Sequence, residues 1–400
     1  LADTGGGGVI THDLTATLPI PSVGSTDLPQ SSQPAPPRAA SDFNVAAHGL
    51  RGLASLMVVG AHILGGTARH VYQANADYVN AVEHPWYLGT FGVELFFIIS
   101  GFVILPSAIK YAPRAFALRR LLRIYPLFFV LSLLFVALNA FTNAYPKINN
   151  VESVVSGLLF INLFTGTEQL TPNAWSLTFE VMFYVLTCGV VHFMFRKPTP
   201  ILAAAAVAAS ALFVAAFPIA IYFLAGVAIR IAYRKQMPSI AYARGFELLF
   251  FLLAVTFASQ GHFEYEWKDF TNPVVIPIFL FTSVYFYLAI APGSLTSIVM
   301  DNRVMAYVGT VSYSLYLVHP YVYYVARRIF VEQGWFTADI VQSIVLFSIV
   351  VTSISFAVTH FVHISLERWP YQWFFHQRIY RTKAPRNADA ADGAMIEKAA

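Results

Sequence analysis

The chain has 400 residues, 57% hydrophobic and 12% charged, with a formal net charge of +4. Soluble proteins carry about twice that charged fraction, so the composition excludes an ordinary soluble fold and points to a polytopic membrane protein. The small net charge gives no footprint for a nucleic-acid partner. The lone cysteine, Cys188, excludes an intrachain disulfide, and no Cys/His spacing suits a metal.

Residues 1–43 include GGGG and PQSSQPAPPRAA, and read as a disordered N-terminal tail. No basic segment precedes an apolar core there, so it does not read as a signal peptide. Residues 44–365 form the membrane domain, and 366–400 a polar C-terminal tail. Apolar runs fall near 50–66, 88–108, 126–142, 151–165, 174–195, 200–216, 218–233, 244–260, 274–291, 304–325 and 339–362. The expected fold is an all-α transmembrane bundle.

Charges orient it. The connection after the second run holds Lys110, Arg114, Arg119, Arg120 and Arg123, which places it in the cytoplasm by the positive-inside rule. If 151–165 spans, Arg196, Lys197, Arg230, Arg234, Lys235 and Arg244 all land outside. If it is re-entrant or interfacial, they land inside with Arg378, Arg381 and Lys383. The expectation is therefore ten spans, with eleven as the alternative, and both termini cytoplasmic. Arg327 and Arg328 then face outward, against the rule.

Within the first run, LRGLASLMVVGAHILGG, Arg51 and His62 are eleven residues apart. That separation brings them to one helical face, about 16 Å apart along the axis. Ionisable groups inside a span are costly and tend to be functional. The second run, FGVELFFIISGFVI, carries Glu94 near its start, which reads equally as an interfacial snorkelling acid or as a carboxylate facing a polar cavity. In ALRRLLRIYPLFF, Arg120 and Arg123 are one turn apart. They are a topology signal or a bidentate phosphate clamp.

The run NAWSLTFEVMFYVL places Trp175, Ser176 and Glu180 near a helix start, with Ser176 and Glu180 on one face. In VGTVSYSLYLVHPYVYY, the serines Ser312 and Ser314 suit helix–helix contacts, and His319 stays open between a polar kink and a ligand contact. No glycine-rich phosphate loop and no GxSxG elbow is present.

RGLASLMVVGAH, FGVELFFIISGFVI, RRLLRIYP, AWSLTFEVMFY and VGTVSYSLYLVHP, in that order over about 44–365, resemble the acyltransferase family 3 integral membrane proteins. The wording is closest to the exopolysaccharide-acetylating branch. The resemblance implies a membrane O-acyltransferase acting on sugars or polysaccharides. Its Arg and His match Arg51 and His62, and its Arg-x-x-Arg matches Arg120 and Arg123. Its Trp-Ser-Leu-x-x-Glu matches Trp175, Ser176, Leu177 and Glu180. The acid after Gly-Val is usually Asp and is Glu94 here. The usual Trp before the late His is Val318.

The expected mechanism follows. Acetyl-CoA enters from the cytoplasm as cosubstrate, with its phosphates on Arg51, Arg120 and Arg123. His62 is the general base on an acceptor hydroxyl, and Glu94 or Glu180 orients it. Trp175, Ser176 and His319 meet the carbohydrate. The expected location is the plasma membrane. A proton-coupled transporter of a sugar or lipid-linked precursor is the alternative; it would favour internal repeats, and none is found.

Overall fold

The computed structural model describes residues 43–143, 145–171, 173–233 and 243–375. The expected tails, apart from residue 43 and residues 366–375, and the expected cytoplasmic charges Arg234, Lys235, Arg378, Arg381 and Lys383 lie outside the described residues. Among the described residues every regular element is helical.

The long helices are α1 (Val45–His70), α2 (Ala76–Lys110), α3 (Pro113–Thr142), α6 (Ala174–Val191), α12 (Arg303–Glu332) and α13 (Ile340–Val362). Shorter ones are α4 (Val151–Leu158), α5 (Asn162–Thr165), α7 (Pro200–Ala216), α8 (Ile221–Tyr233), α9 (Ala243–Ala258), α10 (Val275–Ala289), α11 (Leu295–Met300) and α14 (Trp369–Phe375). Starts are written locally. The side chains of Asn44, Asn75, Asn302 and Asp339 accept backbone N–H groups in the first turns of α1, α2, α12 and α13. Pro113 and Pro200 open α3 and α7, where a missing N–H costs nothing.

Five helical stretches are both long and apolar enough to cross a bilayer: Val45–His70, Ala76–Lys110, Pro113–Thr142, Ala174–Arg196 and Ile340–Phe375. Pro200–Ala216, Pro218–Tyr233 and Val275–Ala289 are apolar but shorter. Five, not ten, therefore meet the full criterion among the described residues. The helix α12 has 30 residues but is diluted by its serines, tyrosines, His319 and terminal charges.

The doubtful run 151–165 breaks into α4 and α5, of eight and four residues, each far too short to span. Its flanks agree. The guanidinium of Arg196 donates to the carbonyl of Ile109 at 2.5 Å, so the stretch continuing α6 ends where α2 ends. The helix α3 leaves this basic end and α6 returns to it, so the intervening chain does not cross.

The helix α1 lies between α2 and α12. A side chain on Gly52 would meet the backbone of Gly309, and one on Gly66 would meet the hydroxyl of Tyr323. The two pairings share an offset of 257 residues, so α1 and α12 run parallel in register. On the other side of α2, a Cβ on Gly101 would sit 2.1 Å from the carbonyl of Phe223, and one on Gly226 2.0 Å from that of Ile98. Only glycine permits that approach.

Candidate active site

Arg51 and His62 both turn towards α12. The ring of His62 meets that of His319 edge-on, with centroids 5.0 Å apart. The two imidazoles are held alike. Nδ1–H of His62 donates to the carbonyl of Val58 at 2.8 Å, and Nδ1–H of His319 to that of Leu315 at 3.0 Å. Each neutral ring therefore keeps Nε2 as its lone-pair nitrogen. His319 is buried, and its Nε2 has no hydrogen-bond partner. His62 is half-buried and lines a cavity of about 190 Å³ at the end of the bundle remote from the basic loop. His70, Asn139, Thr142, Tyr321, Tyr324 and Arg327 are among its other walls.

One to three turns nearer the basic end, Arg51 lines a cavity of about 30 Å³ with Ser100, Ser176, Glu180, Tyr313 and Tyr316. That is room for about one water. One oxygen of Glu180 accepts the hydroxyls of Ser100, at 2.8 Å, and of Tyr184. The hydroxyls of Ser176 and Tyr316 are 2.8 Å apart, and Asn173 donates to the carbonyl of Tyr316 at 2.7 Å. The ring of Tyr316 in turn lies 6.3 Å from His319. Tyr316 thus touches both levels, as a wall of the Arg51 cavity and as a neighbour of His319.

At the basic end, Arg120 donates to Ser107 at 2.9 Å and lies over the rings of Phe116 and Tyr184. It also walls an apolar groove of about 790 Å³ between α3 and α6 that includes Arg114. Arg123 is buried, 4.0 Å from Glu367. The other oxygen of Glu367 accepts from Ser314 at 2.7 Å and from His363 at 2.8 Å. Both Arg51 and Arg120 are near enough to act on the charge of Arg123.

The candidate carboxylates do not reach the histidines. Buried Glu94 accepts the hydroxyl of Tyr265, which lies 2.8 Å from that of Tyr222. Glu180 faces the Arg51 cavity. The tautomer of His62 is set by a backbone carbonyl, not by an acid. Trp175 packs edge-on against Phe97 and Phe179, away from the walls of both cavities. Ser176 joins Glu180 as expected, and His319 joins His62.

Sequence reasoning missed Glu367, His363, Tyr184 and Tyr265, and it took Tyr313 and Tyr316 only as part of a hydroxyl-rich stretch. A signal for the first two was present: His363 and Glu367 are four apart in an apolar segment. They sit in a π-helical turn, His363–Arg368, that runs on from α13.

Residues 44–360 match the sequence profile of a family described as an acyltransferase domain. The exopolysaccharide production protein ExoZ of Rhizobium meliloti (strain 1021) is 28% identical over 113 residues, 26% of this chain and 35% of that protein. Acyltransferase MdmB of Streptomyces mycarofaciens is 33% identical over 158 residues, 37% of this chain and 39% of that protein. The chain therefore spans little more than a third of the length of these relatives. No solved structure matches.

Proposed function

The chain belongs to this acyltransferase family, and we propose that it is a membrane-embedded O-acetyltransferase. It moves an acetyl group from acetyl-CoA, held at the basic end, to a hydroxyl of a sugar or polysaccharide arriving at the opposite end. The basic end faces the cytoplasm of a cell bounded by the plasma membrane, and both termini lie on that side. The likeness to a protein named for exopolysaccharide production supports a glycan acceptor.

The observation that carries the reading is the state of His62. Its Nδ1–H is committed to the Val58 carbonyl, so Nε2 is a base, and the ring forms part of a cavity wall. The acceptor hydroxyl gives its proton to that nitrogen while its oxygen attacks the thioester carbonyl. The carbon–sulfur bond breaks, and the proton passes from imidazolium to the departing thiolate, giving free CoA. His319, edge-on to His62, shares the proton. Arg51, Arg120 and Arg123 hold the phosphates of the donor by charge-assisted hydrogen bonds. Glu367 keeps the Arg123 guanidinium placed.

His62→Ala in purified protein is the test. Transfer of acetyl from labelled acetyl-CoA to a saccharide acceptor should vanish while acetyl-CoA binding persists. Near-normal turnover in that variant would remove His62 from the chemistry.

A further inference from the structure

Arg327 has no role in the scheme above and sits at the wrong end of the bundle for a topology signal. From the walls of the outer cavity we infer that the acceptor is an anionic saccharide, one bearing a carboxylate or phosphate, and that Arg327 is the residue that recognises the charge. This rests on the acyl-transfer reading and narrows its substrate class.

Three observations carry it. The ionisable side chains with acid–base chemistry near neutrality or permanent charge that line the cavity are His62, His70 and Arg327, and no Asp or Glu is among its walls. Arg327 is half-buried, and among the described residues no carboxylate pairs with it. Its neighbour Arg328 is exposed and reaches Glu332 at 3.5 Å. The two adjacent arginines are thus in opposite situations, one satisfied by its own helix and one turned to the cavity.

The geometry suits a ligand that spans from the charge to the base. The helix α12 places Arg327 eight residues beyond His319, about 12 Å along the axis. Helical side chains lean back towards the N terminus. Accordingly the guanidinium lies over the rings of Tyr323 and Tyr324, 5.6 and 5.9 Å from their centroids. Its charge is therefore directed towards the His62–His319 level. Planar donors backed by aromatic faces are suited to bidentate carboxylate or phosphate recognition. Tyr321 and Tyr324 supply cavity walls on which sugar faces can rest.

The test compares three acceptors: a uronate-containing oligosaccharide, the same oligosaccharide with its carboxyls reduced to alcohols, and a glycosyl phosphate. Wild-type protein should show a KM for at least one anionic acceptor about 10- to 100-fold below that for the neutral one, and the better of the two identifies the anion. Arg327→Gln should raise the KM for the anionic acceptor to the neutral level with kcat held, Arg327→Lys should recover part of the difference, and Arg328→Gln should change nothing. Equal KM values for all three acceptors in wild type, or an equal rise for charged and neutral acceptors in Arg327→Gln, would overturn the inference and leave acyl transfer standing. Transfer to none of the three would overturn the proposed saccharide acceptor, and this inference with it.

Discussion

The two ends of the α1–α12 seam solve opposite problems. At the basic end, buried Arg123 is paired with Glu367, Arg51 shares a space of about 30 Å³ with Glu180, tyrosines and serines, and Arg120 walls the apolar groove of about 790 Å³. At the other end, His62 and His319 rest only on main-chain carbonyls beside a cavity of about 190 Å³. A fully buried permanent charge needs an opposite charge beside it, as Arg123 has in Glu367. A neutral imidazole needs only one acceptor, and keeps its second nitrogen for chemistry. The difference teaches that a buried charge is matched where the packing is tight, at Arg123 and Glu367, and basicity is offered beside an open cavity, at His62.

The contrast is broken most severely by removing an acid from the tight end. Glu367→Ala removes the acid beside Arg123 and the acceptor of Ser314 and His363. Losing one member of a buried pair costs about 3–5 kcal/mol, so the melting temperature in detergent should fall steeply. An unchanged melting curve would mean that Arg123 is not held by Glu367.

At the open end, His319→Gln should do the reverse. It removes no compensating charge, so stability should change by less than about 1 kcal/mol. If the second imidazole shares the proton, kcat should drop about 100-fold with KM for both substrates held. A drop in melting temperature matched by normal kcat would reduce His319 to a packing residue.

Much of this contrast could be read before any coordinates. Ten of the eleven apolar runs fell on helices, of which α2, α3 and α12 run well beyond them, and the run 151–165, which charge placement had already separated from the rest, broke into fragments. The eleven-residue spacing put Arg51 and His62 on one face, and both meet α12. What the sequence hid were partners supplied by the main chain or by distant loops. The carbonyl of Val58 carries no side-chain signature. Tyr265 reaches Glu94 from a loop 171 residues away, on a backbone with φ of 56° that few non-glycine residues adopt. Glu367 sits just past the last apolar run, where it looked like part of the tail.

Arg120 sharpens the comparison more gently. It contacts Ser107 and two aromatic rings rather than a carboxylate, so its removal strands no buried acid. Arg120→Ala should raise the KM for acetyl-CoA about 10-fold with kcat held. Arg123→Ala is the poorer probe, because it would uncover Glu367. If the Arg120→Ala KM is unchanged, the pair serves orientation in the membrane alone.

The smallest effect on turnover belongs to Glu94, one of the two acids expected to orient the histidine. Its carboxylate is tied to Tyr265, with Tyr222 alongside, so its work is to fasten that loop onto α2 and α8. Glu94→Gln keeps the length and an acceptor oxygen for Tyr265, and kcat should stay within about 3-fold of wild type, far from the loss that removal of a general base's partner brings. Glu94→Asp is the more telling variant. It restores the acid usual at this place in the family but draws the carboxylate back by one methylene. A hydroxyl left short of its acceptor in a buried site costs about 1–3 kcal/mol. Aspartate should therefore destabilise the protein more than glutamine does, although it alone keeps the charge. The opposite order would return Glu94 to an electrostatic role near the imidazoles.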